Sequence, residues 1–305
     1  MTISIQPAIF FASTGEKIAA TLYMPTASPY SKKFPAIILC QGLSGTQTLV
    51  LPQVAHSFAE AGFVALTFDY RGFGQSEGQT GIVDPQARSQ DALDACNFVR
   101  AHAQVDPRRV GIYGHSLGGG VAQYAASYDE ALQCVVSTSG FSSGDKLLRS
   151  LRSASEWLEF KEILDEDRIQ RALSGKSKLV EIEDIFPLST RFQDEYAALG
   201  AQKESSSIPE NRINSSHLFQ LISADFILQF DTTHLLPKIC PKPILFIHGA
   251  KDDIIPLEDV MEAYRLANEP KKLIIFDDYD HVGLDHGPGL EQVISLATDW
   301  FNKHL

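Results

Sequence analysis

Residues 110–120 read VGIYGHSLGGG: an apolar run halts at Gly114, presents the hydroxyl of Ser116 and resumes among glycines. A strand that turns at once into a helix, with one side chain at the apex, strains the backbone there. It also brings flanking residues too close for Cβ atoms. Glycine two positions before and two after the apex removes them, so Gly114-His115-Ser116-Leu117-Gly118 fits such a turn. Gly119 and Gly120 let the following helix pack close to the strand. Ser116 then meets a helix N-terminus, where free N–H groups and the dipole favour developing negative charge. The same spacing also occurs at glycine-rich helix starts with a capping serine; the strand-turn-helix context favours a nucleophile.

Outward from this stretch the pattern repeats. FPAIILCQG (34–42), FVALTFDYRG (63–72), RVGIYGHS (109–116), LQCVVSTSG (132–140), KPILFIHG (242–249) and KKLIIFDD (271–278) are short apolar runs, most closing on Gly or Asp. Continuous rather than alternating hydrophobicity marks strands buried on both faces, as in a parallel sheet. Between them lie segments of helical period, such as Leu51, Val54, Ala55 and Phe58, or Leu290, Val293, Ile294, Ala297 and Phe301. Ahead of them AIFFAS and EKIAATLYMP flank Thr14-Gly15 and predict an antiparallel hairpin. The expectation is a doubly wound, mostly parallel α/β sheet with functional groups at the carboxyl ends of its strands.

The rhythm breaks between 141 and 235, where no buried-strand run occurs and the gap exceeds any ordinary connection. EWLEFKEILDEDRIQRAL and SSHLFQLISADFILQF are amphipathic, which predicts a helical cap at 141–235 inserted into a core of 1–140 and 236–305. Residues 203–216 are expected to be its most mobile part. A disordered insert is the alternative, and the two amphipathic segments argue against it.

The chain has 305 residues, 38 acidic against 26 basic, and a net charge of -12 at pH 7. That balance argues against nucleic acid or an anionic membrane as partner. Cys40, Cys96, Cys134 and Cys240 are scattered without metal spacing, which fits reduced thiols in the cytoplasm. The first residues lack a basic signal-peptide start, and no apolar stretch approaches the roughly 18 residues of a membrane span.

A serine hydroxyl is a weak nucleophile unless a base takes its proton and an acid orients that base. AKDDIIP puts Asp252 and Asp253 after one later strand; YDHVGLDH puts His281 and His286 after the last. The order Ser, Asp, His is the one this topology demands. A calcium loop in the second segment would need a glycine at its sixth position and a terminal Glu, neither of which is present. One oxyanion donor is expected at the Leu117 backbone N–H, directly after the serine.

Four stretches, SFAEAGFVALTFDYRGFGQSEG, VDPRRVGIYGHSLGGG, KPILFIHGAKDDIIP and DYDHVG, together resemble the α/β-hydrolases, in particular the dienelactone-hydrolase-like and Xaa-Pro-dipeptidyl-peptidase-like branch. The resemblance spans the chain outside 141–235. It implies the acid at Asp252, with Pro256 four residues on, and the base at His281. It places the second oxyanion N–H at Leu43 in the loop after AIILC. Relatives commonly carry His-Gly there; this chain has Gln41-Gly42, and Gln41 is expected to hydrogen-bond a neighbouring loop. Asp69 and Arg71 read as shaping a loop beside the pocket. His56, His102, His217, His234 and His304 read as surface or cap residues, and Cys40 and Cys134 as small core residues.

The implied activity is a serine hydrolase acting on a carboxylic ester or thioester of a small acyl substrate, without metal or organic cofactor. The pH profile should then fall on acidification through an imidazole pKa of about 6 to 7. An acyltransferase or an aminopeptidase would use the same three residues. A peptidase needs a charge for the substrate amine, and the run Glu156, Glu159, Glu162, Asp165, Glu166 and Asp167 is read instead as a solvated helix face. A non-catalytic ligand-binding relative is the alternative from another class. Monomers and homodimers both occur in such a family.

Overall fold

The computed structural model describes residues 2–26, 33–188 and 218–305. Among the described residues there are ten strands: β1 Ile3–Phe11, β2 Lys17–Pro25, β3 Phe34–Cys40, β4 Val64–Phe68, β5 Val105–His115, β6 Cys134–Thr138, β7 Leu179–Val180, β8 Phe219–Gln220, β9 Ile244–Gly249 and β10 Lys271–Phe276. Eight form one sheet in the order β1-β2-β4-β3-β5-β6-β9-β10. β1 and β2 form the expected antiparallel hairpin about Gly15, β2 is antiparallel to β4, and all other pairings in this sheet are parallel. β5 starts upstream of the predicted position, because Val105 pairs with Phe34 before a register shift.

The helices are α1 Leu51–Glu60, α2 Pro85–Ala101, α3 Leu117–Tyr128, α4 Gly144–Ser150, α5 Ala154–Ser174, α6 Ile182–Ile185, α7 Ile222–Gln229, α8 Leu236–Ile239, α9 Leu257–Leu266 and α10 Gly287–His304. β4, β6 and β9 are buried at every position because both sheet faces are covered. On one face Ile37, Leu39, Ala65, Tyr113 and Val136 meet α1 and α10. On the other, Ala36, Ile38, Val64, Leu66, Ile112 and Val135 meet α2 and α3. Each buried branched or aromatic side chain contributes about 1.5–3 kcal/mol, and the alternation along each strand divides that gain between two layers.

Between β6 and β9 the chain leaves the sheet as α4, α5, a two-stranded antiparallel ribbon of β7 and β8, α6 and α7. The ribbon was not expected; strands of two residues carry no periodicity to read. α5 starts with a capping box of Ser153 and Glu156 and stops at Gly175, whose φ of 70° suits glycine. It buries Trp157, Phe160 and Leu164 and exposes Glu156, Glu159, Glu162, Asp165 and Glu166 to solvent. Asp167 departs from that reading: it is buried and accepts hydrogen bonds from Arg171 Nε at 2.7 Å, Ser177 Oγ at 3.0 Å and the Lys178 N–H at 2.6 Å. Its carboxylate ties the end of α5 to the chain leading into β7.

The two crossings of this insertion touch. Gly144 N donates to Phe230 O at 2.9 Å and Thr232 N to Ser142 O at 2.7 Å. Buried Gln123 of α3 accepts from Ser142 Oγ at 2.8 Å and Thr232 Oγ1 at 2.7 Å, and donates to Ser137 Oγ at 3.1 Å. Residues 203–216 and His217 lie outside the described residues. No helix of the described residues is long and apolar enough to cross a membrane.

Candidate active site

Ser116 sits between the end of β5 and the first residue of α3 at φ 55° and ψ −125°. A non-glycine residue there carries strain of about 1–3 kcal/mol, held in place by its surroundings. A Cβ on Gly114 would lie 1.9 Å from Gly118 O, and one on Gly118 would lie 2.1 Å from Cys40 O. Both glycines are therefore set by backbone-to-backbone contact, as the sequence pattern required. Gly118→Ala must push α3 away from the loop after β3. The expected outcome is a loss of several °C in Tm and of most activity, read by thermal melting and an ester assay.

The structure brings Ser116, His281 and Asp252 together from the ends of three strands. Ser116 Oγ donates to His281 Nε2 at 3.0 Å, and His281 Nδ1 donates to Asp252 Oδ2 at 2.7 Å. Asp252 Oδ1 is held by the N–H groups of Ile254 at 3.0 Å and Ile255 at 2.8 Å. The alternatives Asp253 and His286 are exposed. Burial pulls the His281 imidazole down, but the Asp252 charge and hydrogen bond, aided by Asp285 and Asp253, overcome it and leave its pKa raised. Burial pushes Asp252 up, and the attraction of His281 and His248 with the Ile255 N–H brings it below the usual carboxylate range.

Two histidines not singled out from the sequence stand behind this line. His248, at the end of β9, is fully buried and donates from Nε2 to Ile255 O at 3.0 Å. Burial, the largest influence, lowers its pKa, and its Nε2 lies 3.7 Å from Asp252 Oδ2. His115 lies 3.0 Å through Nε2 from Asp285 Oδ1, and its ring centroid is 5.4 Å from that of His281. Asp285 follows the short 3-10 turn Val282–Leu284 that carries His281 at its start. The signal for both was available: each histidine is the next-to-last residue of an apolar run, RVGIYGHS and KPILFIHG.

Ser116, His281, Leu43 and Leu117 line a cavity of about 40 Å³ together with Phe141, Leu147, Phe186, Leu188, Ile254 and Ile255. That is room for about one water, whose share of the liquid is roughly 30 Å³. Apart from Ser116 and His281, the described lining residues are all apolar. A larger, shallow recess of about 420 Å³ at Lys33, Asp106 and Arg108 lies at the opposite end of β5 and contains none of these groups.

Gln41 is buried and donates to Ser44 Oγ at 3.1 Å, so it braces its own loop and not a neighbouring one. Asp69 shapes the loop beside the site by accepting from the N–H groups of Gln47 at 2.8 Å and Gln75 at 2.9 Å. Arg71 pairs with buried Asp91. His56 and His234 are exposed and His102 and His304 half-buried, while Cys40 and Cys134 are core residues.

Residues 35–288 match the protein family described as alpha/beta hydrolase fold. The chain belongs to the α/β-hydrolase family. The match is to the superfamily and does not single out the dienelactone-hydrolase-like branch. This hydrolase is 32% identical to the quorum-quenching protein AidA of Acinetobacter baumannii, over 96% of this chain and 93% of AidA. It is 24% identical to the thiohydrolase aneE of Aspergillus aculeatus, over 95% of this chain and 90% of that protein. It is similar in fold to the crystal structure of the α/β-hydrolase GrgF from Penicillium, with a TM-score of 0.79 at 20% identity, covering 99% of each chain. In sequence, the Penicillium grgF protein carries the name polyketide transferase and is 23% identical over 91% of this chain and 90% of its own.

Proposed function

We propose that this hydrolase cleaves a carboxylic ester or thioester of a small substrate with an apolar acyl group, through Ser116, His281 and Asp252. The observation that carries this is the unbroken line from Ser116 Oγ through His281 to Asp252, at 3.0 and 2.7 Å. Ser116 Oγ attacks the carbonyl carbon as His281 Nε2 takes its proton. His281 returns that proton to the leaving alcohol or thiol, giving an acyl-enzyme. Water repeats the sequence and releases the acid. The N–H groups of Leu43 and Leu117 receive the oxyanion, the latter helped by the α3 dipole. The described part of the insertion at 141–235 acts as the cap, since Leu147, Phe186 and Leu188 share the cavity with Ser116.

The apolar lining favours an uncharged acyl group over a peptide amine, for which no described lining residue offers a carboxylate. Transfer of the acyl group to an acceptor other than water is the second reading. It draws on the relative named polyketide transferase; a relative named thiohydrolase supports hydrolysis of a thioester.

A panel of p-nitrophenyl esters, acyl thioesters and aminoacyl nitroanilides tests the assignment. Turnover is expected for apolar esters and thioesters, and turnover confined to nitroanilides would refute it. The pH profile adds a sign. His281 accepts the proton only when neutral, and its pKa is raised. The rate should therefore fall with decreasing pH through a midpoint above the ordinary histidine value of about 6.5. A flat profile across that range would remove His281 from the mechanism.

A further inference from the structure

Arg88 of α2 is almost completely buried, a costly place for a guanidinium unless its donors are used. Its Nη1 donates to Gly42 O at 2.8 Å and its Nη2 to Leu43 O at 3.1 Å. Its plane lies between the rings of Tyr70 and Phe73, with centroids at 4.8 and 4.6 Å. The side chain arrives there from the fourth residue of a helix whose start is fixed. Asp84 caps α2 by accepting from the N–H groups of Gln86 and Ala87, and Pro85 occupies the first turn.

The carbonyl of Gly42 and the N–H of Leu43 belong to one peptide group. In a planar trans peptide these two bonds point in opposite directions, so holding the oxygen sets the direction of the N–H. Arg88 takes the oxygen. Gly42 lies against the serine, since a Cβ there would be 3.1 Å from Ser116 Cβ and 3.6 Å from Ser116 Oγ. Leu43 lines the cavity that Ser116 and His281 also line. The same loop closes on itself through the Gly45 N–H to Gly42 O at 3.2 Å, and a Cβ on Gly45 would come within 2.8 Å of the guanidinium. The loop is therefore wound around Arg88, which does not line the cavity.

We propose that Arg88 is the positioning residue of the second oxyanion donor: by gripping the carbonyls of Gly42 and Leu43 it aims the Leu43 N–H at the carbonyl oxygen bound beside Ser116. A charge-assisted bond to the Gly42 oxygen also polarises that peptide and strengthens its N–H as a donor. Arg88 does not touch the substrate. A planar fork with two parallel donors suits this role, whereas a lysine ammonium is a compact charge on a flexible stem that holds two carbonyls without a fixed direction. The inference rests on the serine-hydrolase reading above.

The test compares Arg88→Met and Arg88→Lys with the unaltered protein, with kcat expressed per site titrated by a fluorophosphonate so that misfolded chains do not count. Arg88→Met is expected to lower kcat about 100-fold, as loss of an oxyanion donor does, with KM changed less than about threefold. Affinity for a trifluoromethyl ketone, which forms an anionic adduct on serine, should fall in parallel, while the acid limb of the pH profile stays in place. Arg88→Lys should lose about tenfold in kcat.

A folded Met or Lys variant with kcat within about threefold of the original overturns the proposal, as does a loss lying in KM with ketone affinity retained. If the Met variant does not fold, the Lys variant decides by the same criteria. Ser116→Ala is assayed alongside. Activity that survives in it sinks the serine-hydrolase reading itself, whereas its loss together with unimpaired Arg88 variants sinks only the role of Arg88.

Discussion

Ser116→Ala is expected to lower kcat for an apolar p-nitrophenyl ester about a million-fold, to the level left by binding and the oxyanion donors alone. The substitution removes one oxygen and little else. Ser116 N still donates to Thr138 O at 2.9 Å and Ser116 O still accepts from Gly119 N at 2.8 Å, so the turn keeps its backbone bonds. Only the hydroxyl's hydrogen bond to His281 Nε2 disappears. Thermal melting should move by no more than a few °C, which separates a chemical loss from a structural one. Adding His281→Ala to this variant should cost almost nothing more, because the two groups act as a unit. Turnover retained in Ser116→Ala would end the account.

Asp252→Asn should follow at about ten-thousand-fold in kcat, for a reason visible in the hydrogen bonds. Oδ1 of Asp252 accepts from two backbone N–H groups, of Ile254 and Ile255, so an asparagine must keep its oxygen there. Its NH₂ then falls in the place of Oδ2, 2.7 Å from His281 Nδ1 in the present structure. A donor facing Nδ1 forces the ring proton onto Nε2, where it points at Ser116 and blocks proton transfer. The variant should fold, bind substrate with little change in KM and fail in kcat. Near-normal kcat in Asp252→Asn would show that the ring is oriented by something else, and His248 or Asp285 would be next to test.

Six strands of the main sheet were legible as continuous apolar runs, most closed by Gly or Asp, and β1 and β2 as runs flanking the Thr14-Gly15 turn. The β7–β8 ribbon was not, since Leu179–Val180 and Phe219–Gln220 are too short to show a period. Ser116 could be read from the glycines that close approach demands; strand order offered Asp252 or Asp253 and His281 or His286, and the family resemblance chose between them. What pattern reading missed are the groups that support them. Arg88 shares the buried stripe of α2 with Ala92, Ala95 and Val99, at helical spacing. A charge on an apolar stripe was the available clue, and the fold brings two carbonyls, of Gly42 and Leu43, to receive it. Asp167 was hidden in the same way, inside an acidic run whose other members face water.

The insertion between β6 and β9 departs and comes back at adjoining backbone positions stitched to Gln123. To the sheet it is a closed ring, and the entropic cost of closing a ring grows only as about (3/2)RT ln n with its length. A segment transplanted from another hydrolase and spliced at Ser142 and Thr232 would meet two ready-made hydroxyl sockets, with both ends in register. Such grafts offer a route to new selectivity in which α3, the helix that follows Ser116, never has to move.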